Sequence, residues 1–465
     1  MEYSFDTFRD EELPAHLPGI DDDLAERLED LLEFGDREEV VRIAASLYPA
    51  DLARLLNYLP AGERETLFGW LPSEQAGLVL AELDEEFRMR LLEETSPERL
   101  TELLGHLETD DVTDVLADLP EEVASKVLPL LDRSEEVRSL LHYDEESAGG
   151  IMGTEFVIVP ETWTVAEATE EVRRNAETVE AVFAVFVSDA QGTLQGVVSL
   201  KNLLLTLADT PVADIMDGDV ITVTPEIDQE EVARIMQRYD LVSLPVVDED
   251  GRMLGRITID DIVDVIRDEA EEDIQRMSGM SGSEEPSDSV FRVIRGRLPW
   301  LLIGMVGAGL SGLVIGRFEH ALEQAVILAT FIPIVMAMAG NAGIQSSAIV
   351  VQGLASGELW ASDVARRLGK ELSVSLLNGL ALALILGAVV MALPIGGATL
   401  ELLALTASLS MLTVIVLATI IGATVPLLLH RMNIDPALAT GPFITTSNDI
   451  LGLGVFFLLA TLIYL

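Results

Sequence analysis

FITTSNDILG, residues 443–452, places a single acidic residue, Asp449, inside an otherwise apolar segment that runs from about 437 to 465. A helix of this length can cross the hydrocarbon core of a lipid bilayer, which is about 30 Å thick. An ionisable side chain at that depth costs at least about 2.5 kcal/mol unless it faces water, a partner or an ion. The segment therefore predicts a membrane-spanning helix with Asp449 in a cation pathway.

The remaining chain divides near Arg297 into an acidic part and an apolar part. From Leu298 to Leu465 there are 8 acidic and 5 basic residues, whereas the first 297 residues contain 71 acidic and 24 basic ones. The formal net charge of −50 and the mean hydropathy of +0.36 therefore come from different parts of the chain. We predict a water-soluble acidic part joined to a membrane part.

The acidic excess argues against nucleic acid as a partner, because phosphate contacts require Lys and Arg. Two explanations of the acidity remain open: a solvated surface of halophilic type, which the presence of only three lysines supports, and cation sensing by clustered carboxylates. No cysteine is present, which excludes disulfides and Cys-based zinc sites. No apolar signal segment follows Met1, so we expect the acidic part to be cytoplasmic.

Residues 1–145 are predicted to form an all-α domain of stacked helical repeats. Residues 24–47 have the apolar spacing of one or two amphipathic helices. A leucine followed by Pro or an acid then recurs every 12 residues, and Ser96-Pro97 gives a helix start at the one missing position. Each unit can hold one short helix, but it cannot bury a core unless it stacks on its neighbours.

Residues 146–267 change to short β-rich runs that alternate with helices, in two units at 146–208 and 209–267. The phrases VSDAQGTLQGVVS and VDEDGRMLGRIT occupy matching places in the two units. This β-α-β-β-α repeat resembles a pair of CBS domains, which are α/β regulatory modules. The resemblance implies possible ATP binding at Thr258 and Asp261, although the first unit has Ser199 and Asn202 at these places.

Residues 260–290 are predicted as an acidic linking helix followed by a linker. Ile262, Val265 and Ile266 lie on one face of the helix, and acidic residues crowd another. Like charges one turn apart repel each other. Either bound divalent cations remove that repulsion, or the helix is simply highly solvated.

Residues 291–465 are predicted as an α-helical transmembrane domain of five spans, at about 298–316, 321–350, 372–395, 400–429 and 437–465. Basic residues precede the first, third and fifth spans, and these positions share one side if the spans alternate. By the positive-inside rule this side is the cytoplasm. The N-terminus is then cytoplasmic, and the C-terminus lies outside the cytoplasmic membrane.

Polar residues gather at two places in these spans, in GNAGIQSS at 340–347 and again at 445–449. The candidate pore-lining residues are Asn341, Gln345, Thr445, Thr446 and Asn448. Small polar residues also pack helices together in bilayers, which is the alternative for the first group. Asp435-Pro436 is expected to open the fifth helix at the inner mouth of the pore. We expect no second buried acid in the membrane part.

These parts, in this order, resemble the MgtE magnesium channel family over essentially the whole chain. The resemblance rests on the 12-residue repeat, ESAGGIM at 146–152, the CBS units, GNAGIQSS and the segment DPALATGPFITTSNDILGL. It implies a multidomain membrane protein that forms a homodimer in the lipid bilayer with a pore between its membrane domains. Asp449 would meet hydrated Mg²⁺ there, since Mg²⁺ gives up its waters reluctantly.

The resemblance also implies regulatory Mg²⁺ sites that hold the pore shut. By position these sites fall on Asp110, Asp114, Asp228, Glu230, Asp240, Asp261, Asp264, Glu269, Glu272 and Asp273. One family acid of the helical domain falls at Leu78 here, so we expect that site to be lost or rearranged.

We therefore predict a magnesium-selective channel that intracellular Mg²⁺ closes. Two alternatives remain open: a secondary transporter that exchanges divalent cations against Na⁺ or H⁺, and a non-transporting Mg²⁺ sensor. We do not expect an enzyme, because the sequence has no Ser/His/Asp arrangement and no phosphate-binding loop, and its five histidines are scattered.

Overall fold

A computed structural model describes residues 22–93, 95–176, 178–179, 181–280, 284, 290–357, 364–392, 400–432, 434–439 and 441–465. The chain forms two compact units that divide between Val265 and Ile266. The first unit contains the helical repeats and the CBS pair, and the second contains the membrane helices.

Within the described residues, the first unit begins with ten short helices. They are α1 (Asp22–Phe34), α2 (Arg37–Ala44), α3 (Pro49–Tyr58), α4 (Ala61–Trp70), α5 (Ser73–Ala81), α6 (Glu85–Glu93), α7 (Pro97–Leu104), α8 (Thr109–Asp118), α9 (Glu121–Val127) and α10 (Ser134–Leu140). Pro60, Pro72 and Pro120 directly precede α4, α5 and α9. Ser96 caps α7 by accepting a hydrogen bond from the backbone N–H of Arg99. The predicted repeat is confirmed, including the helix at its missing position.

The leucines of the 12-residue repeat share one hydrophobic core. All six are buried: Leu59, Leu71, Leu83, Leu107, Leu119 and Leu131. Each follows or closes a short helix, so that the next helix starts with its apolar face on the same core. A fully buried leucine stabilises the fold by about 1.5–3 kcal/mol, which explains why units of only two to three turns are stable when stacked.

The CBS pair contains two similar sheets. Its elements are β1 (Ile158–Pro160), α11 (Val165–Arg174), β2 (Ala184–Ser188), β3 (Leu194–Ser199), α12 (Leu200–Leu205), α13 (Gln229–Tyr239), β4 (Ser243–Val247) and β5 (Met253–Thr258). Strand β1 is parallel to β2, and β2–β3 and β4–β5 are antiparallel. The β-rich run at 220–223 of the second CBS unit pairs, within the described residues, only through the bridge Val223–Val246. Pro245 has no N–H to extend that parallel pairing towards residue 221.

The turns between paired strands repeat in the two CBS units. Oδ1 of Asp189 accepts hydrogen bonds from the backbone N–H groups two and four residues later, and Asp248 does the same. Gly192 and Gly251 have φ of +85° and +78°, a left-handed conformation that glycine adopts at no steric cost. The matching phrases in the sequence therefore encode matching turns.

The segment that precedes the first CBS unit packs on the second one. The N–H of Ala148 donates to the carbonyl of Ile227 at 2.6 Å, and Gly153 pairs with Arg256. Ala148 and Met152 lie in the hydrophobic core of the second CBS unit. This crossing is a long-range contact that residue spacing alone does not indicate.

The helix α14 (Ile259–Met277) follows β5 directly and leads into the second unit. The further helices are α15 (Val290–Arg317), α16 (Glu319–Gln324), α17 (Ile332–Ala355), α18 (Val364–Ala392), α19 (Leu400–Arg431) and α20 (Pro442–Ile463), with 3-10 segments at Val326–Thr330 and Pro436–Ala439. Among the described residues, five spans are long and apolar enough to cross a membrane. The five-span architecture is confirmed, and the polar GNAGIQSS segment lies within one continuous helix.

The expectation that Asp435-Pro436 opens the fifth helix is wrong. Asp435 precedes and Pro436 begins a 3-10 turn at Pro436–Ala439, where the N–H of Ala437 donates to Asp435 Oδ1 at 2.7 Å. Helix α20 begins only at Pro442, which also suits an N-terminal helical position. Because two prolines in this segment carry the same start signal, the sequence pattern did not distinguish the turn from the helix.

Candidate functional site

Asp449 lies two turns inside α20, between two flanks of the helix that pack on neighbouring helices. Gly307 of α15 leaves room for Thr446, and Gly343 of α17 leaves room for Asn448, because a Cβ at either glycine would clash with the facing side chain. These contacts fix the rotation of α20. Thr445 is exposed and Asp449 is partly exposed, and they lie one turn apart on the face between these two contacts.

No ion pair within the described part of the chain involves Asp449. An uncompensated carboxylate on a membrane helix requires water, an ion or a second protein surface. On α17, Asn341 and Gln345 are also one turn apart and exposed, and polar side chains of this kind are unfavourable against lipid. Two helices of the unit therefore each present a polar face.

Two of the candidate pore-lining residues lie between helices. Asn448 is only 2% exposed and packs against Gly343, and its side-chain nitrogen and oxygen have no hydrogen-bond partner among the described residues. Thr446 packs against Gly307. The structure thus places Thr445, Asn341 and Gln345 on exposed faces, and Asn448 and Thr446 in helix contacts.

A second buried acid, Glu371, is present on α18, contrary to the expectation from the sequence. It is 7% exposed, its Oε1 pairs with Arg367 at 2.7 Å, and its Oε2 accepts a hydrogen bond from Ser346 at 2.8 Å. The sequence prediction missed it because the third span was started at residue 372. The Arg367–Glu371 spacing of one helical turn was the available signal.

Asp435 is bound to α14. Its Oδ2 accepts a hydrogen bond from Arg276 Nη1 at 2.5 Å, and Arg276 also pairs with Glu272 one turn earlier. The three charged groups lie in the second unit and are partly buried. Asp435 is therefore held against the linking helix within the chain.

In the first unit, carboxylates gather at the N-terminus of α8. Glu155 is 4% exposed and caps α8, because its oxygens accept from the N–H and hydroxyl of Thr109 at 2.8 and 2.9 Å. Arg133 pairs with the same carboxylate. Sequence analysis missed Glu155, since the cap comes from a residue 46 positions away.

Oxygens of Glu108, Asp110 and Glu155 lie within 4.8 Å of one another. A Cβ at Gly153 would lie 3.1 Å from Glu155 and 3.2 Å from Asp110, so the glycine keeps space open beside both carboxylates. Mg²⁺ prefers oxygen ligands and keeps several waters. The carboxylates beside this open space fit such an ion, and Glu155 contributes least because Arg133 already neutralises it.

Three carboxylates of α8, those of Asp110, Asp111 and Asp114, carry raised pKa values. Desolvation, followed by the charge of Asp261, raises the pKa of Asp110 well above its usual range. Desolvation and the charges of Asp114 and Asp261 raise the pKa of Asp111 to about 7. Desolvation also raises the pKa of Asp114 to about 7, against the opposing charge of Arg88. Asp114 is more exposed to water than Asp111, so the charge on Asp111 is screened less by solvent.

Leu78, the departure from the family pattern, packs against the core of the helical domain. One turn further along the chain, Glu82 is close enough for its charge to contribute to the raised pKa of Asp111. Asp111 and Glu82 were not among the predicted sites. The structure thus places an acid that the sequence analysis did not predict, Glu82, four residues after Leu78 and near Asp111.

The other predicted regulatory residues are spread out. Asp228 caps the start of α13 and Asp240 ends it with φ +53°, so about 18 Å of helix separates them. Glu230 pairs with Arg234. Asp264 is exposed on α14, whereas Glu269, Glu272 and Asp273 lie further along that helix in the second unit. One metal ion cannot bind both ends of α13.

The predicted nucleotide residues Thr258 and Asp261 contact each other. The Thr258 hydroxyl donates to Asp261 Oδ2 at 2.7 Å at the start of α14. At the matching place in the first CBS unit, the Ser199 hydroxyl instead accepts a hydrogen bond from the backbone N–H of Asn202. Asp261 also acts on the pKa of Asp110, so one carboxylate is shared between the nucleotide and cation hypotheses.

Five apolar spans joined to a helical domain and a CBS pair define a multi-pass membrane protein with two further domains before its spans. The divalent cation transporter family MgtE matches residues 332–459, the MgtE intracellular N domain matches 47–146, and CBS domains match 148–209 and 212–268. The chain is 33% identical to the magnesium transporter MgtE of Bacillus subtilis (strain 168), over 95% of this chain and 97% of that protein. The chain belongs to the MgtE family of magnesium transporters.

Two further comparisons agree with this assignment. The magnesium transporter MgtE of Thermus thermophilus is 34% identical over 96% of this chain and 99% of its own length. A crystal structure of the cytosolic domain of the Mg²⁺ channel MgtE in complex with ATP is 38% identical and has a TM-score of 0.50. It covers 52% of this chain and 100% of the solved one. These relatives are named as transporters or channels and not as enzymes.

Proposed function

We propose that this magnesium transporter is a Mg²⁺-selective channel of the cytoplasmic membrane that intracellular Mg²⁺ closes. The observation that carries the proposal is Asp449, a carboxylate with no ion-pair partner in the described residues, on an exposed polar face of a membrane helix. A permeating cation accounts for that placement in a family of magnesium transporters.

Asp449 binds the ion through its water shell. Mg²⁺ dehydrates reluctantly, so a carboxylate that contacts a hydrated ion allows both entry and exit. In a homodimer, two Asp449 side chains across the symmetry axis form the cation-selective ring. The polar faces with Thr445, Asn341 and Gln345 then line the water-filled path.

The carboxylates of α8 and α14 act as the Mg²⁺ sensor on the cytoplasmic side. Asp110, Asp111 and Asp261 repel one another, and bound Mg²⁺ removes that repulsion. The ion favours the compact arrangement by its differential affinity for it, which is what a ligand needs to shift a conformational equilibrium. Low Mg²⁺ then loosens the cytoplasmic part and opens the pore.

The CBS pair binds ATP at Thr258 and Asp261 in this proposal. The support is the ATP complex of the similar cytosolic domain and the hydroxyl–carboxylate pair at the start of α14. Calorimetry of the full chain with ATP should give saturable heat. Heat that Asp261→Asn does not alter would contradict this site.

Growth rescue of a magnesium-requiring bacterial strain tests the transport function. Wild type and Glu401→Gln should rescue growth, because Glu401 is an exposed acid at the start of α19. Asp449→Asn should not, since it removes the only charge proposed to meet the ion. Rescue by Asp449→Asn would favour the non-transporting sensor.

The second candidate is a transporter coupled to Na⁺ or H⁺, and the observation that favours it is the buried acid Glu371. Its pairing with Arg367 and Ser346 ties up both oxygens, which makes a mobile proton there unfavourable. Mg²⁺ uptake into vesicles should therefore persist without a Na⁺ or H⁺ gradient. Strict dependence on either gradient would select the coupled transporter.

A further inference from the structure

The end of α14 is attached to the membrane unit at three points without any metal ion. Arg276 pairs with Asp435 at 2.5 Å. Gln275 exchanges two hydrogen bonds with the backbone of Glu284, at 2.7 and 2.8 Å, and Glu284 pairs with Arg297 of α15. A Cβ at Gly441 would lie 3.2 Å from the backbone of Met277 and Gly279, so the helix end lies directly beside the start of α20.

Arg276 supplies the positive charge in the contact between the end of α14 and the segment before α20. Its guanidinium group contacts two carboxylates, that of Glu272 on its own helix and that of Asp435 before α20. The side chains of Arg276 and Asp435 are 28% and 26% exposed, so water screens their attraction only in part. A guanidinium fork between carboxylates forms strong, directional hydrogen bonds.

Both oxygens of Asp435 are engaged in this arrangement. Oδ1 accepts from the N–H of Ala437 at 2.7 Å, and Oδ2 accepts from Arg276. A carboxylate paired in this way attracts an incoming cation weakly, because its charge is already neutralised. Release of Arg276 would free the charge of Asp435 at the start of the segment that leads to Asp449.

We propose that Arg276 is a tethered cation that locks α14 onto Asp435 and so holds the pore shut in part without Mg²⁺. The inference rests on the proposed function, because it assumes that α14 gates the pathway through Asp449. Regulatory Mg²⁺ and the Arg276 lock both favour the closed state, so loss of Arg276 must be compensated by a higher Mg²⁺ concentration.

Mg²⁺ currents of the full chain in liposomes, at graded internal Mg²⁺, test the lock. Arg276→Gln should raise the half-closing Mg²⁺ concentration about fivefold or more, the range of ordinary coupling between sites. The exchange Arg276→Asp with Asp435→Arg should restore the wild-type value, because the new Arg again lies between two carboxylates. Arg267→Gln is the matched control: Arg267 lies on the exposed part of the same helix, next to Asp268.

Asp435→Asn removes the same pair from the other side. It should raise the half-closing concentration as Arg276→Gln does and lower the maximal current, because the charge at the mouth is lost. A wild-type value in both single variants overturns the proposal. An exchange variant that remains shifted, or an equal shift in Arg267→Gln, also overturns it.

A distance measurement tests the lock independently of ion conduction. The chain has no cysteine, so Ser278→Cys and Phe443→Cys, both close to the Gly279–Gly441 contact, take spin labels only there. In EDTA, labelled chains diluted with unlabelled ones should give one short distance between the two spin labels. Arg276→Gln should broaden this distance distribution, and the exchange of Arg276 and Asp435 should restore the single short distance. An unchanged distribution in Arg276→Gln overturns the lock, whereas absent Mg²⁺ closure in wild type contradicts only the proposed function.

Discussion

Two carboxylates of α8, Asp111 and Asp114, have pKa values raised to about 7, so their protonation changes near neutral pH. Asp111 is the less exposed of the two. Its pKa is about 7 because of desolvation and the charges of Asp114 and Asp261, compared with an unfolded value near 3.9. Between about pH 4 and pH 7 the folded state therefore binds more protons than the unfolded state. Without Mg²⁺, this group makes the fold less stable as pH rises through that window.

Mg²⁺ binding should show the opposite pH dependence, since the ion needs the deprotonated carboxylate. With one proton to displace and a pKa of about 7, half-saturation at pH 6 should require about ten times more Mg²⁺ than at pH 8. Calorimetric titration of the full chain at both pH values measures the ratio. Asp111→Asn should reduce the ratio, and a ratio near one in wild type would exclude Asp111 from the ion site.

At the scale of the helix, the contact of α17, α19 and α20 depends on two glycines. A Cβ at Gly422 would clash with the backbone carbonyl of Gly343, and a Cβ at Gly343 would clash with the side chain of Asn448. A side chain can move aside, whereas a helix backbone cannot move without shifting the packed helix. An added methyl group should therefore destabilise the fold more at Gly422 than at Gly343.

Gly422→Ala should lower the thermal unfolding temperature more than Gly343→Ala does. Overpacking of this kind costs about 1–3 kcal/mol. Gly340→Ala is the control and lies on α17, the helix of Gly343. It should not lower the unfolding temperature, because nothing lies within 4 Å of its Cβ position and alanine favours a helix over glycine. Equal effects at Gly340 and Gly422 would mean that α17 and α19 are not packed as described.

The elements of this fold follow from local patterns, whereas several of its contacts do not. The Leu-Pro period, the paired CBS phrases and the apolar runs predicted the helices, most strands and the five spans, because each depends on neighbouring residues. The cap of α8 by Glu155 and the packing of Asn448 on Gly343 join distant segments. Glu371 was missed for a different reason: its helix begins earlier than the apolar run suggests.

At the scale of the whole molecule, the two explanations of the acidity predict different responses of the folded protein's stability to added salt. A solvated acidic surface responds to any salt, because mobile ions screen repulsion between exposed charges. The enclosed cluster around Asp110 needs a divalent ion that fits between its carboxylates. Both contributions can coexist in one chain with a net charge of −50.

Millimolar Mg²⁺ should raise the unfolding temperature of the full chain to a plateau, and NaCl at the same ionic strength should not. A site ligand at 100 times its Kd adds about 2.7 kcal/mol of stability. Asp110→Asn should raise the unfolding temperature in EDTA, because it removes a buried repulsive charge, and should lose most of the Mg²⁺ response. Its response to molar NaCl should stay that of wild type, since the exposed acids are unchanged. If Asp110→Asn instead keeps the full Mg²⁺ response, the cluster is not the sensor and the acidity serves the surface alone.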